Sequence, residues 1–183
     1  STTLLLTEEP VNGGEVDVIV GGAPLYIAWS SDSELLAVHH QQTLIIRGAD
    51  GELFDTARPS VRYRVASFSA DGALLAYVAD VDGVERVIAR KLSSGDERTF
   101  GDVPVEAVFA WSPTDPRQLA IAQREDRRSP GYDGLAVLDV DTGDERVLYD
   151  GDVFAFWWSP DGTTLAVVAS GADGFVWLAI DVG

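Results

Sequence analysis

Four times the chain writes an aromatic residue, a serine and a tight acidic turn, each time followed by a short apolar run. The copies are Trp29-Ser30-Ser31-Asp32, Phe68-Ser69-Ala70-Asp71-Gly72, Trp111-Ser112-Pro113-Thr114-Asp115 and Trp158-Ser159-Pro160-Asp161-Gly162. The aromatics stand 39, 43 and 47 residues apart. Repetition at such a spacing means small units stacked side by side, none of which buries its apolar face alone.

Aligning the copies predicts a unit of four strands. Strand a leads into the aromatic: 25–29, 64–68, 105–111 and 153–158. Strand b follows the acidic turn: 35–39, 74–79, 118–123 and 164–169. Strand c comes after a variable loop: 43–47, 84–92, 134–140 and 174–182. Strand d follows a Gly-acid turn: 53–56, 97–100 and 145–149. Val, Ile, Leu, Tyr and Phe fill the strands, while Asp, Gly, Pro and Ser punctuate them. Asp-Gly supplies the positive φ of a tight hairpin. Ser and Asp side chains bond turn amides that would otherwise lack partners. Runs such as LAVVA and LAYVA are apolar on both faces, as in sheets sandwiched between sheets. The fold class is therefore all-β. Four-stranded antiparallel sheets set radially are the blades of a β-propeller.

FWWSPDGTTLAVVA and FSADGALLAYVA, with LDVDTGDERVLY downstream, resemble the WSPDG repeats of the TolB-type, WD-like propeller family. The resemblance covers nearly the whole chain. It implies a propeller like those of periplasmic TolB and larger bacterial proteins, or like those covering prolyl-oligopeptidase-like enzymes. It leans towards a periplasmic or other extracytoplasmic setting, although composition leaves the compartment open. Three copies depart from the pattern. Ser31 and Ser33 replace Pro and Gly, Phe68 replaces Trp, and Thr114 and Pro116 widen the third turn. Each departure is expected to weaken its own turn.

The predicted domain is a single propeller or part of one. It has a partial blade at 1–20, blades at about 25–57, 64–100 and 105–149, and an incomplete blade at 153–183. The strands exceed four complete blades by one. Three arrangements accommodate this: part of a longer propeller, a homodimer in which two chains complete one ring, or a self-closed four-blade ring. Unpaired edge strands at both ends favour pairing with something.

A net charge of −17 and a pI near 4.2 repel phosphate backbones and anionic lipid, so neither nucleic acid nor a membrane is an expected partner. No apolar run is long enough to span a bilayer. Cysteine is absent, which removes disulfides, thiol catalysis and thiolate metal sites.

Catalytic constellations are missing as well. There is no Gly-x-Ser-x-Gly elbow. The two histidines, His39 and His40, are adjacent on a strand and so point to opposite faces, a poor basis for a metal site. Asp80, Asp82 and Gly83, and Asp139 with Asp141, lack the spacing of a calcium loop and read as turn chemistry. No cofactor and no metal are expected, and the chain does not read as an enzyme.

Variable loops on a rigid scaffold are where binding concentrates. The b–c loops vary most: HHQQ with His40 and Gln41, DVDG with Asp80 and Asp82, SGADG, and the long REDRRSPGYDG. That longest loop carries Arg124, Arg127, Arg128, Tyr132 and Asp133, an unusual cluster of arginines in so acidic a chain. Guanidinium groups suit a carboxylate or an acidic patch on a protein or peptide partner. The expected function is a non-catalytic protein- or peptide-binding scaffold using the d–a and b–c loop face. The alternative is a propeller domain or fragment of a prolyl-oligopeptidase-like hydrolase, gating a site the chain does not contain. A lyase or hydrolase site in the central funnel is a third reading.

Overall fold

The computed structural model describes residues 5–8, 15, 17–22, 25–40, 43–48, 53–55, 66–103 and 105–183. Gln41 and the first two residues of the predicted strand at 64–68 lie outside these residues. The described residues form antiparallel strands and no helix. They are β1 (Leu5–Glu8), β2 (Asp17–Gly21), β3 (Leu25–Trp29), β4 (Leu35–His40), β5 (Thr43–Gly48), β6 (Leu53–Asp55), β7 (Ser67–Phe68), β8 (Leu74–Val81) and β9 (Val84–Lys91). After these come β10 (Glu97–Asp102), β11 (Glu106–Trp111), β12 (Gln118–Arg124), β13 (Leu135–Asp139), β14 (Glu145–Tyr149), β15 (Val153–Trp158), β16 (Thr164–Gly171) and β17 (Gly174–Asp181).

Strands pair with their sequence neighbours. β3 to β6, β7 to β10 and β11 to β14 each form a four-stranded sheet, β15 to β17 a three-stranded one, and β1 with β2 a pair. These are propeller blades.

The first, second and fourth acidic turns are built alike because the same two side chains organise them. In the first, Ser30 Oγ donates to Asp32 Oδ1 at 2.6 Å while accepting from the Leu35 amide at 2.9 Å. Ser69 with Asp71, and Ser159 with Asp161, repeat the 2.6 Å bond. The Ser hydroxyl and the Glu34 amide hold the Asp32 carboxyl below its usual range; Ser159 and Thr163 do the same for Asp161. Ser33 sits at φ 64°, where the second and fourth copies have Gly72 and Gly162 at 68° and 71°. Two departures from the pattern also gain a contact. Ser31 Oγ donates to the Ala70 carbonyl of the next sheet's turn at 2.5 Å, and Thr114 Oγ1 to the Asp161 carbonyl at 3.3 Å.

Three apolar cores lie between successive sheets. Ala37, Leu44 and Ile46 meet Phe68, Leu75 and Tyr77 in the first. Val78, Val87 and Ala89 meet Trp111, Leu119 and Leu138 in the second. Ala120, Leu135 and Val137 meet Leu165, Val167 and Val182 in the third. Each indole of the third and fourth copies reaches back one sheet: Trp111 Nε1 donates to Ser67 O at 2.9 Å, and Trp158 Nε1 to Ala110 O at 3.0 Å. Phe68 fills the corresponding place without a donor. Trp157, Phe175 and Trp177 leave the outer face of the last sheet exposed, whereas on the first sheet Ile27 and Trp29 are exposed but Leu36 and Val38 on the same face are buried. The described faces therefore do not close into a four-blade ring.

Candidate functional site

Antiparallel order in every sheet brings the ends of strands b and the starts of strands a and c to one end of the stack. Here lies the β12–β13 loop. Its root is held on three sides. The Tyr132 amide donates to Val153 O and the Val153 amide to Tyr132 O, both at 2.8 Å, so the loop is stitched to the start of β15. Gly131 allows that approach, because a Cβ there would stand 2.8 Å from the Val153 carbonyl oxygen. Asp133 accepts from the Glu125 amide at 2.7 Å and from Ser129 Oγ at 3.0 Å. Arg124 lies over the Tyr132 ring at 5.1 Å, donates to Gly131 O at 3.2 Å and pairs with Glu106 at 3.4 Å.

These contacts divide the predicted binding residues. Arg124, Tyr132 and Asp133 come together, and their side chains support the loop. Arg127 and Arg128 stand exposed at its tip. Their guanidinium groups make no hydrogen bond or ion pair among the described residues. Asp80 Oδ1 accepts from the Gly83 amide at 2.7 Å. Asp82 and Gly83, at φ 57° and 85°, form the two-residue turn between β8 and β9. Both aspartates thus serve the hairpin. His39 is buried near the Tyr26 ring, whereas His40 turns towards Gly22, which has no side chain to collide with the imidazole. His40 Nε2 is buried with no hydrogen-bond partner among the described residues. No contact links His40, Asp80 or Asp82 to the long loop among the described residues.

One feature escaped the sequence. A cleft of about 380 Å³ opens beside the loop, with Ile121, Ala136 and Val147 as apolar lining and Glu125, Asp133, Glu145 and Asp150 as acids. These residues come from three separate stretches, so their spacing carries no signal. Among the described residues, no group of three His, Asp or Glu side chains is placed to hold a metal ion.

No family model matches the chain. Its fold is similar to that of TolB from Acinetobacter baumannii, with a TM-score of 0.68 at 16% identity over 97% of this chain and 46% of that one. The Cps50 (Swd1) beta-propeller domain of Myceliophteria thermophila gives 0.60 at 17% identity, over 90% of this chain and 53% of that one. An oligogalacturonate lyase in complex with manganese gives 0.62 at 13% identity, over 96% and 53%. Together with the sheets described above, these likenesses show that the chain has a β-propeller fold. At such identities they establish the fold alone. By sequence, a ribose-phosphate pyrophosphokinase from Ralstonia nicotianae is 33% identical over 90 residues, 49% of this chain and 26% of that enzyme. The chain spans less than two thirds of the length of each of these proteins.

Proposed function

We propose that the chain is a non-catalytic propeller scaffold that binds a protein or peptide segment at the β12–β13 loop. The observation that carries this reading is the division within the loop. Its root is tied down by Arg124, Gly131, Tyr132 and Asp133, while Arg127 and Arg128 at the tip have no partner among the described residues. Preorganised guanidinium groups lose little freedom on binding a carboxylate. The neighbouring acidic cleft suits a basic side chain on the same segment. The favoured ligand is thus a mixed-charge stretch, with a carboxylate facing the arginines and a Lys or Arg entering the cleft. In this reading the chain is one propeller domain divided as its repeats are, with part-blades at 1–20 and 153–183 flanking blades at about 25–57, 64–100 and 105–149. The hydrolase-gating alternative gains no support from the loop contacts.

The test is fluorescence anisotropy with labelled peptides that pair a basic residue with a nearby acidic one. Binding should weaken with salt and fall about tenfold or more in Arg127→Ser/Arg128→Ser, roughly the loss of one charged contact. Circular dichroism should be unchanged, since neither side chain supports the fold. Equal binding by the double variant would refute the loop assignment.

A further inference from the structure

The second and third sheets superpose residue by residue. Leu75 stands opposite Phe68, and Leu119 opposite Trp111. Two residues further on, Tyr77 corresponds to Ile121. Across the sheets, the row Leu75, Arg90, Glu97 corresponds to Leu119, Leu138, Glu145, and Ile88 corresponds to Ala136. Pairing puts all of them on the face turned towards the preceding sheet. In the second sheet this place is filled. Tyr77 is buried and donates its hydroxyl to Glu97 Oε1 at 2.6 Å, and Arg90 Nη1 stands 3.5 Å from the same oxygen. The Glu97 carboxylate is thus covered by a phenol and a guanidinium. The third sheet keeps the carboxylate and lacks both partners: Ile121 stands for Tyr77, Leu138 for Arg90 and Ala136 for Ile88. Glu145 is exposed, and its carboxylate makes no hydrogen bond or ion pair among the described residues. The smaller side chains leave the cleft of about 380 Å³ against Ile121 and Ala136. Glu145 also borders a second cleft, of about 390 Å³, lined by Leu138 and Phe100. No Lys, Arg or His lines the first cleft. Arg98 lines the second, but its guanidinium donates to the carbonyls of Val140, at 3.1 Å, and Asp141.

We propose that this cleft receives the arginine side chain of a bound peptide segment, whose guanidinium takes at Glu145 the place that Arg90 and Tyr77 take at Glu97. The proposal rests on the reading that a peptide binds beside the β12–β13 loop; it adds which of its residues enters the cleft and which carboxylate selects it. An acidic lining alone would attract any cation. Here the chain carries a filled copy of the same site, and what fills it includes a guanidinium. The chemistry agrees. A guanidinium is planar, weakly hydrated and presents its donors as a fork, so it suits a carboxylate set against apolar side chains, whereas an ammonium is compact and strongly hydrated. The aliphatic stem of an arginine can lie along Ile121, Ala136 and Val147. Tyr149 also lines the cleft and offers an aromatic ring, as Tyr132 does to Arg124 at 5.1 Å. Asp150 adds negative charge to the lining without a cation to neutralise it.

The probe is Nα-acetyl-arginine amide, titrated into the intact chain while the backbone amide shifts of β14 are followed by NMR. It carries no carboxylate, so Arg127 and Arg128 have nothing to bind and the cleft is tested apart from the loop. The amides of Glu145 and Val147 should shift saturably. Glu145→Gln should weaken binding at least about tenfold, as for loss of a charge-assisted bond. The lysine counterpart should bind about threefold more weakly or worse, and the uncharged citrulline counterpart about tenfold. Val147 is exposed and lies two residues along β14 on the same face. Val147→Arg should therefore supply the guanidinium from within and exclude the probe, and it answers the same question if circular dichroism shows that Glu145→Gln loses its strands. Absence of a saturable shift overturns the proposal. So does equal binding of the arginine and lysine probes, or a Glu145→Gln variant that binds as the wild type does. None of these results touches the loop. If Arg127→Ser/Arg128→Ser still lowers peptide binding, the loop reading stands without the cleft. If that double variant binds peptides as the wild type does while the arginine probe still needs Glu145, the cleft stands without the loop.

Discussion

Ser33 occupies left-handed backbone at φ 64°, a conformation that costs an L-residue with a Cβ roughly 1–2 kcal/mol. The second and fourth acidic turns meet the same demand with Gly72 and Gly162. The sequence marks Ser33 as a departure, and the structure shows that the turn keeps its geometry and bears the strain. Ser33→Gly should therefore stabilise the chain by about 1 kcal/mol, read as a higher denaturant midpoint at unchanged slope. Ser31 is a departure of another kind. Proline would rigidify that position, but the serine hydroxyl bonds Ala70 in the next sheet, exchanging local stiffness for an intersheet contact. At Gly131 the requirement is room: the loop can be stitched to Val153 only where no Cβ intervenes.

The Ser-Asp turn is a unit whose stability depends on an ionised carboxylate. Hydroxyl and amide donors lower the folded-state values of Asp32 and Asp161 below 3.8. In the unfolded chain the same groups titrate near 3.8. Their contribution is therefore present above about pH 4 and is lost as pH falls through the lower folded values. Protonation of other carboxylates relieves repulsion in the same range, so the informative comparison is between variants. Ser159→Ala should flatten the decline of thermal midpoint below pH 4 relative to wild type, because it removes the largest cause of the Asp161 shift. An identical slope in the variant would show that the Ser159 bond does not govern this titration. The blades also explain why their strands lack clean alternation. β8 and β12 lie in the middle of inner sheets and are buried on both faces, because an inner sheet meets a neighbour on each side.

Across the whole molecule, burial has to work against a large excess of negative charge. Screening should relieve that repulsion over a Debye length that shortens from about 10 Å at 0.1 M to 3 Å at 1 M salt. The thermal midpoint should rise as sodium chloride increases across that range, and a fall would mean that attractive pairs such as Arg124–Glu106 outweigh the net charge. Salt should also weaken any charged ligand at the β12–β13 loop.

The repeat by itself determined the blades, their strand order and the turn chemistry, because these rest on spacing, side-chain type and backbone conformation within some forty residues. The same reading found the long loop and its arginines. It could not divide the arginines into supports and free groups, since Glu106, Tyr132 and Val153 approach Arg124 and its loop only when sheets pack. Nor could it find the acidic cleft or show that Trp157 and Trp177 share one bare face. Those features depend on which strand lies beside which and which face meets the neighbouring sheet, and only tertiary packing decides that.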